Sequence, residues 1–526
     1  MLSPDTGRDR RRRADGGTAI GKGSNHFAAQ NLGYHRVRED DSAFTQRQMS
    51  GLAVLLALAE PETTVVPFSG TAVRLRYTGP LERLESSEGL SLGSESTLAS
   101  LNRTGIWRFI RTDRMLRSSV FLMLNSGIQA ALGSVFWIIT ARLFNTESVG
   151  RASSLISAVN LIAILGLLGL NVTFLRYLPV AQQRNRLITA GIGLVATCSG
   201  ILALIYVLFM PLVARPIAFV AHSLVLAAGF VILTAGAGVN GITDSVFIAA
   251  GKAGYNAFAD GVVGGVAKLV LIAVLASGGA YGIFCAATGG FMAAALASLL
   301  LMVTVLRWRP RVGDFAKVLR PVLRFSVVNY MGNVLLLLPT MVVPLIVLNR
   351  IGPSGAAYYY VAFQLANLLY QAVFAVEQPF LVEGAHAGAI DRAVLMRSIR
   401  VLLVLCIPSF AAVILFGHQL LHVFGANYGN NAAGSLLPLT AALLPIAAQN
   451  WFLTILRLSS QFRAIVWSNV VFAVVITGLA WVLAPRGLSA VAMAWPIGAS
   501  AAALVAGVAA MRTIRRLRRP RHRHRR

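Results

Sequence analysis

The sequence predicts an all-α integral membrane protein of about twelve transmembrane helices, arranged as two six-helix bundles. Three observations predict it. The chain of 526 residues is 56% hydrophobic and only 13% charged, with a mean hydropathy of +0.68, whereas a soluble globular chain carries about 25% charged residues. From residue 119 onward, apolar runs follow one another at regular spacing, each near the roughly twenty residues a bilayer crossing needs. Basic residues then collect in every second loop between those runs.

The predicted spans are 119–142, 153–174, 187–210, 219–249, 257–277, 282–306, 325–348, 356–378, 399–422, 433–456, 464–484 and 488–511. The fourth is long enough to include an interfacial turn. One set of loops carries Arg108, Arg111, Arg114 and Arg117, then Arg176, Arg184 and Arg186, then Lys252. The same set continues with the Arg307–Arg324 stretch, Arg392, Arg397 and Arg400, Arg457 and Arg463, and the tail from Arg512. The other set, such as Asn145–Gly150, Gly352–Gly355 and Gly425–Asn431, is short and almost uncharged. Positive residues favour the cytoplasmic side of a membrane, so both termini are expected there.

The formal net charge of +27 does not indicate nucleic acid as a partner, because the cations sit in loops and at the ends rather than on one face. Thirteen of the twenty acidic residues precede Leu116, which leaves the membrane part strongly basic and poor in acids. Cys198, Cys285 and Cys406 each lie inside an apolar run. With no CxxC or Cys/His spacing, neither a metal site nor a disulfide is predicted.

Four regions follow. Residues 1–105, rich in Arg, Ser, Gly, Asp and Glu without a sustained period, are expected to be a disordered cytoplasmic extension; they also fit an over-extended gene start, with Met115 as the initiator. Residues 106–310 and 311–511 form the two bundles. Residues 512–526, with nine arginines and two histidines, form a tail expected to rest on anionic lipid.

The two bundles are related by an internal repeat. Displacing the chain by 207 residues lays Arg117, Ser119 and Val120 on Arg324, Ser326 and Val327. In the next span Ser153, Ser157, Asn160 and Asn171 fall on Tyr360, Gln364, Asn367 and Gln378. At about 100° per residue, Tyr360, Gln364, Asn367, Gln371 and Gln378 share a face roughly 60° wide, and the first four residues share the matching face of the second span. Six helices per half give parallel repeats, with a substrate expected between them. The competing reading is that these amides and hydroxyls hold helices together.

At these residues the chain resembles a known family. Ala141-Arg142-Leu143-Phe144-Asn145-Thr146-Glu147-Ser148-Val149-Gly150, Leu168-Gly169-Leu170-Asn171 with Leu175-Arg176-Tyr177, and Ile351-Gly352-Pro353-Ser354-Gly355-Ala356-Ala357-Tyr358-Tyr359 resemble the repeated signature of the Wzx-like polysaccharide flippases. These belong to the multidrug/oligosaccharidyl-lipid/polysaccharide (MOP) superfamily. The likeness covers about residues 110–515 and departs at Asn145-Thr146, where the family usually has Gly-Pro. It implies two lobes around a central cavity and alternating access along the first, second, seventh and eighth spans. It also implies a transporter rather than an enzyme, in a bacterial cytoplasmic membrane. The implied cargo is a polyprenyl-diphosphate-linked oligosaccharide turned from the cytoplasmic to the outer leaflet. Membrane lipids and glycan-assembly enzymes are the expected partners.

Such a step makes no bond, so no catalytic residue and no cofactor are expected beyond a coupling proton or sodium ion. Sugars call for the amides, hydroxyls and aromatic face of the two stripes. A diphosphate calls for cations, for which Lys268, Arg142 and Arg324 are candidates. Lys268 lies mid-span, where a charge costs at least ~2.5 kcal/mol unless paired or wet; pairing with Asp260 or Asp244 is its structural alternative. Snorkelling to headgroups is the alternative for Arg142 and Arg324. Asp244, Asp260 and Glu377 are candidates for ion coupling, Asp260 lying near the cytoplasmic interface. Pro339 and Pro344 are candidate bending points.

Three other functions compete. A lipid II flippase of the cell-wall branch would be expected to carry several arginines inside the first, second and eighth spans, whose interiors lack them. A multidrug or cation antiporter of the same superfamily would want a buried carboxylate in the first span or the core of the first bundle. A membrane enzyme of glycan assembly would want paired carboxylates and a sizeable outer loop.

Overall fold

The computed structural model describes residues 114–311, 313, 315–386, 392–459 and 461–518. The N-terminal extension and the end of the tail lie outside the described residues. The regular structure described is helical: α1 Arg114–Leu143, α2 Thr146–Gly166, α3 Leu170–Tyr177, α4 Arg184–Val213, α5 Leu224–Ala249, α6 Ala253–Val274, α7 Gly279–Thr304, α8 Phe315–Arg350, α9 Pro353–His386, α10 Arg392–His422, α11 Ala426–Ala441, α12 Leu443–Leu458, α13 Phe462–Leu483 and α14 Leu488–Arg518. Among the described residues, nine helical segments are long and apolar enough to cross a membrane. The chain is thus a multi-pass membrane protein.

Three departures from straight helices have local causes. The second predicted span divides into α2 and α3 because Leu168 and Gly169 both take left-handed backbone, φ 49° and 77°. Glycine adopts that conformation freely and leucine does not. The chain satisfies its freed backbone groups locally, as a membrane interior demands: Leu170 N donates to Leu167 O at 2.8 Å, and Tyr330 Oη, from α8, donates to Ile164 O at 3.1 Å. Residues before and after the break no longer share one continuous rotation, so helical period alone does not place Asn171 on the face of Ser153, Ser157 and Asn160.

The tenth span divides after Ala441, where Pro445 stands in the first turn of α12; proline has no N–H to bond the preceding turn. The fifth, α6, carries a π-helical stretch over Ala257–Gly264. By contrast α8 runs on as helix through the buried Pro339 and Pro344.

The neighbours repeat. In the first half α1 packs on α6, α6 on α7, α7 on α5, and α5 on α2 and α4. In the second half α8 packs on α13, α13 on α14, α14 on α11 and α12, and these on α9, with α10 beside α11. The order is the same six spans later, which is what a parallel repeat requires.

The halves meet through α2, which lies against both α8 and α9. On the charge-poor face this meeting is tight. A Cβ placed on Gly150 would fall 1.7 Å from the Pro353 carbonyl oxygen, so the backbones approach as only glycine allows. Asn145 caps α2, its Oδ1 accepting from Ser148 N at 2.8 Å, and Thr146 Oγ1 lies 3.3 Å from Ser354 Oγ across the seam. Arg142 Nε donates to Val423 O at 2.9 Å and Asn349 Nδ2 to Val213 O at 2.8 Å, two further bonds between halves.

Gly150→Val is therefore expected to force the seam apart. Overpacking of this kind costs about 1–3 kcal/mol. The check is disulfide cross-linking between Thr146→Cys and Ser354→Cys, which should form readily in the otherwise unaltered chain and fall sharply with Gly150→Val.

Candidate functional site: a polar helix face and a buried acid–amide cluster

The stripe predicted on α9 changes character along its length. Near the charge-poor face Ala356, Ala357 and Tyr359 to Phe363 are buried. Tyr360 packs against Trp137 of α1 with ring centroids 4.6 Å apart and planes tilted by 54°. Behind it, Trp495 Nε1 donates to Tyr359 Oη at 2.7 Å and packs against Phe363 and Tyr370, fixing α9 to its own half. Toward the basic loops Gln364 and Asn367 are half-buried, Leu368 is 41% exposed and Gln371 is exposed. On α1 Phe136 and Trp137 are buried. The accessible part of the stripe thus lies toward the basic face.

The α2 stripe is spent on its own helix at the sealed end. Ser153 Oγ donates to Gly150 O at 3.0 Å and Ser157 Oγ to Ser153 O at 2.9 Å. Asn160 and Asn171 are half-buried, and Asn171 Oδ1 is enclosed without a hydrogen-bond partner. The side chains of Gln378, Glu377 and Arg324 lie outside the described residues.

Of the candidate cations, Arg142 is engaged with Val423 O. Lys268 forms no close ion pair with Asp244 or Asp260 among the described residues. Its stem lies across Gly290 of α7, where an added Cβ would come 2.3 Å from Cγ, and its ammonium sits 4.2 Å from the centre of the Phe291 ring. It feels the charge of Asp260 without touching it.

Asp244 and Asp260 come together, which hydropathy alone did not foretell. Asp260 is 9% exposed, not the solvated acid its position near the interface suggested. It reaches Asp244 and Asn240 of α5 and Asn256 of its own helix. One side-chain oxygen from each of Asn240, Asp244, Asn256 and Asp260 is buried without a hydrogen-bond partner. Leaving such a group unsatisfied costs about 1–3 kcal/mol, so four together are a costly arrangement. Oxygen atoms of this kind suit a hard cation. Asp260 sits on the π-helical stretch of α6, and such stretches often accompany functional sites. Sequence reasoning missed Asn240 and Asn256. The signal was present: Asn240-Gly-Ile-Thr-Asp244 and Asn256-Ala-Phe-Ala-Asp260 repeat one Asn-x-x-x-Asp spacing on consecutive spans.

The profile of a family described as polysaccharide biosynthesis protein matches residues 115–380. The chain belongs to this family. Among solved structures, the family member is similar to the lipid II flippase MurJ in an inward closed conformation. The identity is 14%, the match covers 74% of this chain and 87% of that one, and the TM-score is 0.58. It is also similar to an inward-facing multidrug resistance MATE transporter of the MOP superfamily, at 16% identity over 76% of this chain and 99% of that one, TM-score 0.56. A MATE protein in complex with MaL6 matches at 15% identity over 76% and 96%, TM-score 0.53. At these identities the likeness shows the fold, that of the MOP transporters. Among curated proteins none matches.

Two facing carboxylates repel when both are charged. In alkaline buffer with choline as the only salt cation, Asp244→Asn is expected to melt at a higher temperature than the unaltered protein. A lower melting temperature would show that both charges are held by partners.

Proposed function

We propose that this family member is a flippase that carries a polyprenyl-diphosphate-linked oligosaccharide from the cytoplasmic to the outer leaflet of a bacterial cytoplasmic membrane. It works by alternating access, with the basic loops and both termini in the cytoplasm. The observation that carries the reading is the α9 stripe, which is sealed at Tyr360 and accessible at Gln371 toward the basic face. A cleft open on the side where lipid-linked sugars are assembled, and lined by amides, meets the needs of a sugar head. Family membership supports polysaccharide biosynthesis as the setting.

Within this reading Gln364, Asn367, Gln371 and Gln378 of α9, with Ser153, Ser157, Asn160 and Asn171, contact the sugar as the seam cycles. Arg324, at the basic end of α8, suits the diphosphate better than Arg142, which is occupied at the opposite face. Lys268 serves the acid–amide cluster through its charge. The cluster itself, Asn240, Asp244, Asn256 and Asp260, is the seat of the coupling proton or sodium ion, with Glu377 as a further candidate. The chain acts as a transporter rather than an enzyme, and glycan-assembly enzymes supply and consume its cargo.

The cluster also favours a second reading, a multidrug or cation antiporter, because it places buried acids in the core of the first half. Deleting the gene separates the two. Loss of one surface glycan, with its lipid-linked precursor stranded in the inner leaflet, is the expected outcome. Normal glycans with altered drug or cation tolerance would overturn the flippase reading. In the same cells Asp260→Asn is expected to restore protein level and little or none of the surface glycan.

A further inference from the structure

Outside the cleft and the cluster, one arrangement of chemically capable side chains stands out. His418 and His422 lie one turn apart at the end of α10, on the charge-poor face. Their Nε2 atoms are 3.0 Å apart and their rings meet nearly at right angles, 78°, with centroids 4.5 Å apart. His418 Nδ1 lies 3.1 Å from Gly429 O in the first turn of α11. A carbonyl oxygen only accepts, so Nδ1 of His418 carries the hydrogen and its Nε2 presents a lone pair. In the neutral pair the single proton between the two Nε2 atoms therefore comes from His422.

We propose that His418 and His422 form a binding site for a divalent transition-metal ion of the zinc class. The metal takes the place of that proton: His422 shifts its hydrogen to Nδ1, and both Nε2 lone pairs then point at one ion. Zn–N bonds of about 2.0–2.1 Å at a tetrahedral angle set two nitrogens roughly 3.3–3.4 Å apart. The observed 3.0 Å is short of this by a small ring rotation, which the exposed His418 and half-buried His422 permit.

Two features support a built site. The Gly429 carbonyl on His418 Nδ1 is the outer partner that metal-binding histidines use to fix ring orientation. Gly429 also leaves room for the second ring, since a Cβ there would come 2.4 Å from His422 Cδ2 and 2.5 Å from Nε2. Imidazole nitrogens select zinc, copper and nickel over magnesium or calcium. Among the described residues no group of three or more His, Cys, Asp or Glu side chains gathers there, so water completes the coordination and affinity is modest.

The next residue gives the site a consequence. Val423 O accepts the Arg142 Nε hydrogen bond that ties α10 to α1 of the other half. A metal that fixes the last turn of α10 braces this contact and holds the charge-poor face closed. Binding itself does not depend on the transport reading.

The test uses the full chain in detergent, purified without a histidine tag and stripped of metal. Zinc chloride is titrated by calorimetry and by thermal melting. The unaltered protein is expected to bind one more zinc equivalent than His418→Gln or His422→Gln, and its melting temperature to rise with zinc where theirs does not. Melting in metal-free buffer shows whether each variant is folded. Gly429→Ala provides a variant that keeps both imidazoles; it is expected to lose the same equivalent by displacing the His422 ring. Equal zinc stoichiometry and equal thermal response in the unaltered protein and in the folded variants would overturn the proposal.

Discussion

Two helices from different halves can approach only as closely as their smallest residues allow. At the charge-poor face that limit is reached between Gly150 and the Pro353 carbonyl, and much of the architecture depends on it. The contact brings the starts of α2 and α9 together, sets Thr146 beside Ser354, and leaves Trp137 and Tyr360 in ring contact beneath. Because lipid offers no hydrophobic drive between helices, such a seam rests on close packing and a few hydrogen bonds. The buried core is continuous across the seam, from Phe136, Val149 and Leu155 of the first half to Val347, Ala356 and Tyr360 of the second. Within the second half a buried aromatic group of Tyr359, Phe363, Tyr370 and Trp495 adds to it.

The acid–amide cluster lies within one half, between α5 and α6, rather than on the seam. The cluster is linked to the seam by packing: α5 touches α2, and α6 touches α1. Asp244 and Asp260 are thus one helix away from the faces of α1 and α2. The π-helical stretch at Asp260 is a natural point of give, because its extra residue per turn is held by weaker local geometry than the flanking helix. The cluster and the cleft therefore form two sites joined by packed helices.

Much of this was legible in the chain. Hydropathy and the alternation of basic loops placed the spans, because a bilayer leaves no other solution for twenty apolar residues in a row. The 207-residue repeat foretold the recurring order of neighbours. The polar face of α9 was also legible, since period alone fixes it. What escaped were features that depend on local backbone exceptions or on side chains from different spans. Leu168 has nothing in its side chain to announce a left-handed backbone, so the break ahead of Asn171 was not foretold. Asn240 and Asn256 looked like ordinary helix amides until α5 and α6 were set side by side. Arg142 looked like a phosphate ligand or a snorkelling cation, and only the fold shows that it reaches the Val423 carbonyl.

The central claim is a cleft accessible from the basic face and sealed on the other. Its most direct test is the labelling of Gln371→Cys, in a chain with Cys198, Cys285 and Cys406 replaced, by a membrane-impermeant thiol reagent in vesicles of opposite orientation. Strong labelling in inside-out vesicles and weak labelling in right-side-out vesicles is the result predicted. Equal labelling from both sides, or labelling from the outside alone, would contradict the account.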